Sequence, residues 1–147
     1  MKIQTKFLGE VTIDPTTIIE FPQGIPAFED EKQFVLIPLA EKSPFIILQS
    51  VNTQSVGFMA AYPFDFKKDY AFDLEKVDEE KLEIDESDEV LVYSLLTLKD
   101  SLENSTMNLL APIVINAQKK LGQQIVLSES AHHPLRYPLR SKEGSVR

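Results

Sequence analysis

Apolar residues in this chain come in short runs that do not alternate with polar ones. Phe34-Val35-Leu36-Ile37, Phe45-Ile46-Ile47-Leu48, Val90 to Leu98 and Ile113-Val114-Ile115 are apolar or nearly so at successive positions. An antiparallel sheet with one wet face alternates cleanly. Strands of the present kind are covered on both faces, by other elements of the domain or by another protein.

The pattern predicts a chain made mostly of strands. Lys2 to Leu8 alternates Ile3, Thr5 and Phe7 against Lys2, Gln4 and Lys6, and Asp14-Pro15 turns the chain before Thr17–Phe21. In Phe21-Pro22-Gln23-Gly24-Ile25-Pro26-Ala27-Phe28-Glu29-Asp30 two prolines remove backbone donors and Gly24 permits positive φ, which predicts a rigid, shaped loop. Strands are expected at Gln33–Leu39, Phe45–Val51, Val56–Tyr62, Tyr70–Phe72, Leu82–Ile84 and, longest and most central, Glu89–Thr97. Leu74 to Leu82 is the best helical segment, with Leu74, Val77 and Lys81 on one side and Asp78 and Glu79 on another. Ala111–Gln118 and Gln123–Ser128 read as a hairpin in which Gly122 supplies a left-handed residue. The sum is a mostly β fold: a small barrel-like antiparallel domain with one or two short helices, spanning residues 1–130. Residues 131–147 read as a flexible basic tail.

Charge sharpens this picture. The chain has 147 residues, no cysteine and a formal net charge of −8. That length suits one domain burying roughly 70% of its unfolded surface. The segment Asp65–Glu89 carries twelve acids against four bases, enough to account for the whole net charge. Such a field repels a phosphate backbone, so direct nucleic-acid binding is not expected. It attracts a basic protein, or serves simply as a solvated face. Without cysteine there are no disulfides or thiolate sites, in keeping with a reducing cytosol. No apolar run reaches the ~20 residues that span a bilayer, and the first residues lead into a strand rather than a signal-peptide core.

Candidate chemistry is sparse. His132 and His133 are adjacent, and neighbours in an extended chain point opposite ways, a poor chelating pair. There is no Gly-x-Ser-x-Gly elbow and no Walker loop. Asp85-Glu86-Ser87-Asp88-Glu89 is dense in oxygens but lacks the spacing and glycine of an EF-hand, and reads as a charged turn. The aromatics Phe58, Tyr62, Phe64, Phe66, Tyr70 and Phe72 read as core packing rather than base stacking, because the bases near them are only Lys67 and Lys68. No cofactor, metal or catalytic residue is expected. An OB-like nucleic-acid module and a small-molecule enzyme remain the alternatives; the first needs a basic groove and the second a polar cleft with convergent carboxylates.

Three motifs carry a family resemblance. The loop Phe21–Glu29, the strand Pro44-Phe45-Ile46-Ile47-Leu48-Gln49-Ser50 and the run Asn108-Leu109-Leu110-Ala111-Pro112-Ile113-Val114-Ile115-Asn116 resemble the FliW flagellar assembly factors, as does Gly122-Gln123-Gln124-Ile125-Val126-Leu127. The resemblance runs from Ile3 to Leu127. Ala27 departs from it, standing where the family more often has a second glycine, which implies a slightly less mobile loop.

The resemblance implies a cytoplasmic, non-enzymatic protein, a monomer when free, with two protein partners. One is flagellin. The other is the RNA-binding carbon storage regulator CsrA, which this protein would bind and antagonise until accumulating flagellin displaces it. On that footing the acidic residues Asp78, Glu79, Glu80, Glu83, Asp85 and Glu86 are expected to meet the regulator's basic face. An apolar platform of Leu110, Pro112, Ile113 and Val114, rimmed by Asn108 and Asn116, is expected to take a flagellin helix. Folding explains the same motif positions equally well.

Overall fold

The computed structural model describes residues 1–41, 43–128 and 132–139. Its strands are β1 (Lys2–Thr5), β2 (Gly9–Thr12), β3 (Ile19–Glu20), β4 (Gln33–Pro38), β5 (Phe45–Ser50), β6 (Gly57–Ala61), β7 (Val90–Thr97), β8 (Thr106–Met107), β9 (Ile113–Asn116), β10 (Leu121–Gln124) and β11 (Tyr137–Pro138). One short helix, α1 (Lys76–Lys81), precedes β7. Seven strands close a barrel in the order β3-β4-β5-β6-β7-β9-β10, all antiparallel except the β10–β3 joint. This is the mostly β, barrel-like architecture that the strand pattern predicts.

The two-faced strands are explained within the chain. Register alternation sends Phe34, Leu48, Ile113 and Ile115 to the barrel interior, where they form one cluster with Ile19, Phe21 and Ile25. The opposite face of β9 and the outer face of β6 are covered from outside. Val114 lies under Leu82 and Ile125, and Ala61 under Tyr70, Met107, Leu109 and Leu139. The β1–β2 hairpin is tied to the barrel by the buried Gln49, whose Oε1 accepts from Lys6 N at 3.0 Å. Gln49 Nε2 lies 3.1–3.3 Å from the carbonyls of Ser50, Thr53, Gln54 and Val56. Gly57 lies beside it, where a Cβ would crowd Gln49 Oε1 and push the amide off its bond to Lys6 N.

Five local expectations are corrected. Tyr70–Phe72 and Leu82–Ile84 form no strand; the first is irregular and the second closes α1. The helix faces the other way round: Asp78 is buried and Val77 is 51% exposed. Leu82 must reach the core, and residues four apart stack on one helix face, so Asp78 goes inward with it. The left-handed residue of the β9–β10 turn is Lys120, at φ 56°. Gly122 instead lies in β10 opposite Ile115, where a Cβ would sit 2.5 Å from the Phe21 ring. Part of the expected tail is folded: Tyr137 pairs with Met107, and Leu139 is buried against the barrel. The rest of the expected tail lies outside the described residues.

The shaped loop forms as predicted around Gly24, at φ 66°, whose Cβ would meet the Glu29 backbone at 2.6 Å. Ala27 holds a left-handed φ of 75°. That conformation costs an alanine free energy and a glycine little, a physical reason for glycine at this position.

Candidate functional site

The six-residue helix α1 carries the acidic face. It starts after Glu75 with Asp78 and Glu79 in its first turn and ends on Lys81, an order that suits the helix dipole. It ends in a Schellman motif: Ile84 N donates to Glu79 O (3.0 Å) and Glu83 N to Glu80 O (3.1 Å). Glu83 takes the left-handed position, φ 55°, where glycine is usual. The glutamate keeps that position despite the strain.

Beyond the helix, Asp85 accepts from Ser87 N (3.0 Å) and Ser87 Oγ (2.8 Å), bonds that hold its carboxyl below the usual range. Asp88 is held low chiefly by its bond from Asn116 Nδ2 (2.9 Å), helped by Lys119. Lys119 Nζ reaches Asp88 at 3.1 Å, Asp85 at 3.5 Å and the Glu83 carbonyl at 2.7 Å. The oxygen-dense turn is thus closed by a lysine. Among the described residues no group of three His, Asp or Glu is placed to hold a metal.

Of the six acidic candidates, Glu79, Glu80, Glu83, Asp85 and Glu86 are exposed together on this face. Among the described residues the four glutamates make no ion pair. Asp78 is the exception. It is buried and accepts from Gln123 Nε2 at 3.2 Å, so it fastens the helix to β10 rather than facing a partner.

The expected apolar platform does not form. Pro112, Ile113, Val114 and Asn116 are buried; Ile113 faces the barrel interior and Val114 the layer under α1. A strand covered on both faces has no apolar side left to offer. Asn108 Oδ1 accepts from Leu110 N and Ala111 N, both at 3.0 Å, and so shapes the turn into β9. Asn116 donates to Leu82 O (2.9 Å) and Asp88, and accepts from Gln118 N and Lys119 N. Both asparagines have internal partners.

The open apolar surface lies elsewhere, beside the acidic face. Tyr62, Phe64, Phe72, Leu74, Val90 and Val92 line a groove of about 480 Å³ with Glu79 among its walls. An aromatic ladder builds one wall: ring centroids lie 5.0 Å apart from Tyr62 to Phe64, 5.5 Å from Phe64 to Tyr70 and 5.7 Å from Tyr70 to Phe72. Tyr70 anchors it by donating to Leu109 O at 2.8 Å, and burial pushes its phenol well above the usual value. His133 stacks edge-on against Tyr70 and sets its ring nitrogens 2.8 Å from Ala71 O and 3.2 Å from Ser128 O. The sequence marked this aromatic cluster only as core; Tyr62, 43% exposed, is the member that core packing leaves open.

No helix among the described residues is long and apolar enough to cross a membrane. The family model described as FliW protein matches residues 2–139. A flagellar assembly factor FliW of Bacillus licheniformis is 46% identical over 132 residues, covering 90% of this chain and 92% of that one. The protein of the same name from Bacillus subtilis is 44% identical, covering 92% and 96%. That of an Exiguobacterium species is 42% identical over the full length of both. A crystal structure of the flagellar assembly factor FliW superposes with a TM-score of 0.89 at 42% identity, covering 98% of this chain and all of that one.

Proposed function

The chain belongs to the FliW family, and from that premise we propose that it is a non-enzymatic flagellar assembly factor working in the cytoplasm as a partner switch. It binds flagellin. When free of flagellin it binds and antagonises the RNA-binding regulator CsrA, so that flagellin synthesis follows flagellin export. Competition of two partners for a limited protein is enough to couple them.

The observation that carries this reading is the exposed cluster Glu79, Glu80, Glu83, Asp85 and Glu86, whose four glutamates make no ion pair among the described residues and which is bordered by an apolar groove. Charge of one sign beside apolar surface suits a basic protein partner, steering its approach and then burying area. A nucleic-acid-binding barrel needs the opposite sign in its groove.

The test mixes the purified protein with flagellin and with the regulator, singly and together, and measures complex masses by size-exclusion chromatography with light scattering. Two binary complexes and no ternary one are expected. A ternary peak would overturn competition by occupancy, and binding to neither would overturn the switch altogether.

A further inference from the structure

The two edges of β7 are paired unequally. On one edge Val90–Tyr93 face β9 and Leu96–Thr97 face β8. On the other, β6 pairs only with Leu95 and Ser94, through Ala60 and Ala61, and beyond them the Pro63–Asp65 turn lies near β7 with no backbone bond to Val90 or Val92 among the described residues. The ladder stops there because Pro63 opens a 3₁₀ turn and lacks an N–H.

Successive residues of an antiparallel strand send their N–H and C=O to opposite edges. Ala117 N donates to Glu89 O and Asn108 N to Leu95 O, both at 2.9 Å, so odd-numbered residues serve the β9 and β8 side. The backbone groups of Val90 and Val92 therefore point to the open edge. Among the described residues nothing bonds to them there. Barrels normally abolish such edges.

An apolar hollow accompanies each face of this edge. The groove described above takes Val90 and Val92 as one wall. A second hollow of about 370 Å³ is lined by Tyr93, Phe45 and Ile46, and Tyr62 lines both. Among the described residues, the charged ones lining them are Glu79 in the first and Glu41 and Asp65 in the second, all acidic.

We propose that the Val90–Val92 edge of β7 is a strand-addition site for an extended segment of a basic partner protein. Alternate apolar side chains of the segment enter the two hollows, and its lysines or arginines meet Glu79, Glu41 and Asp65. A helix satisfies its own backbone and would leave Val90 and Val92 unpaired. A second copy of this chain would bring acid against acid. The inference rests on the reading of this face as a docking surface for a basic protein.

Residue-resolved amide hydrogen exchange on the intact protein tests it, with and without a synthetic seven-residue peptide alternating valine with lysine and arginine. In the free protein the Leu91 and Tyr93 amides are protected by β9, while those of Val90 and Val92 exchange fast. Peptide should slow Val90 and Val92 by about tenfold or more and leave Leu91 and Tyr93 unchanged. Val92→Pro removes the donor aimed at the open edge without touching a β9 bond, and should abolish the effect. If that variant does not fold, the wild-type exchange pattern decides alone. Perturbation confined to the Phe72 and Leu74 side chains would overturn strand addition, as would protection that rises with protein concentration in the absence of peptide. The same exchange experiment is run on any complex with flagellin or the regulator. Complexes that form without slowing Val90 and Val92 sink the site and leave the switch standing; peptide protection without either complex does the reverse.

Discussion

Strand β9 and the acidic stretch from α1 to Glu89 lie side by side, joined where Asn116 Nδ2 reaches Leu82 O at 2.9 Å. Both stood out in the sequence as interaction surfaces. In β9 every residue is buried, while in the acidic stretch only Asp78 and Leu82 are. Apolar motif residues in a closed barrel are consumed by its two covered faces. Charges cannot be consumed that way, because burying an unpaired carboxylate costs far more than leaving it wet. So β9 should answer to stability measurements and the acidic stretch to binding measurements.

Asn116→Ala tests the β9 side most severely. It deletes a buried amide that bridges Leu82, Asp88, Gln118 and Lys119. A loss of about 2–4 kcal/mol is expected, visible as a Tm lower by roughly 5–15 °C, with partner binding retained below the transition. The Asn116 bond is also the main cause of the low Asp88 pKa. A carboxylate depressed on folding stabilises above its unfolded pKa of about 4 and loses that contribution as pH falls through the lower folded value. The stability gap between wild type and variant should therefore narrow as pH is taken below about 4. A gap that widens there would sink the assignment.

Gly122→Ala comes next. The added Cβ would sit 2.5 Å from Phe21 Cζ, and a ring fixed in the barrel core cannot yield cheaply. Overpacking of this kind costs about 1–3 kcal/mol. If the cost arose from a left-handed turn at residue 122 instead, Lys120→Gly would bring no gain; with Lys120 itself at φ 56° that variant should stabilise, and chemical denaturation of both variants separates the two.

Reversing Glu79, Glu80 and Glu83 to lysine probes the other segment. Stability should move by less than about 1 kcal/mol, as for most exposed positions. Regulator affinity should fall at least about tenfold at low salt, with a flatter salt dependence, and flagellin affinity should hold. A wild-type regulator affinity that does not change across a salt series would remove the acidic face from the argument.

How far the sequence carried follows the same division. The non-alternating runs at Phe34–Ile37 and Ile113–Ile115 were enough to read a barrel covered on both faces, and the shaped loop around Gly24 was legible from two prolines and a glycine. The orientation of α1 was not, because Leu74, Val77 and Lys81 make as good a stripe as Leu74, Asp78 and Leu82 until the core claims Leu82. The platform at Pro112–Val114 was misplaced because exposure is set by layers that come from elsewhere in the chain, here Leu82 and Ile125 over Val114. The open edge of β7 has no local signal at all. It exists only because β6 stops at Ala61 while β7 begins beyond it.

The smallest effect is the most discriminating, because it should separate the two readouts within one residue. Glu83 sits at the helix end in a left-handed conformation that a glycine adopts without strain. Its carbonyl, not its side chain, receives Lys119 Nζ, so Glu83→Gly keeps that bond. The variant should gain roughly 0.5–1 kcal/mol of stability from relief of strain. It should also lose about 0.5 kcal/mol of regulator affinity, roughly twofold, with the exposed charge. Stability and binding then move in opposite directions at one position, which a merely structural glutamate cannot produce. If both rise, or both fall, the carboxylate is part of the fold and the division between β9 and the acidic stretch does not hold.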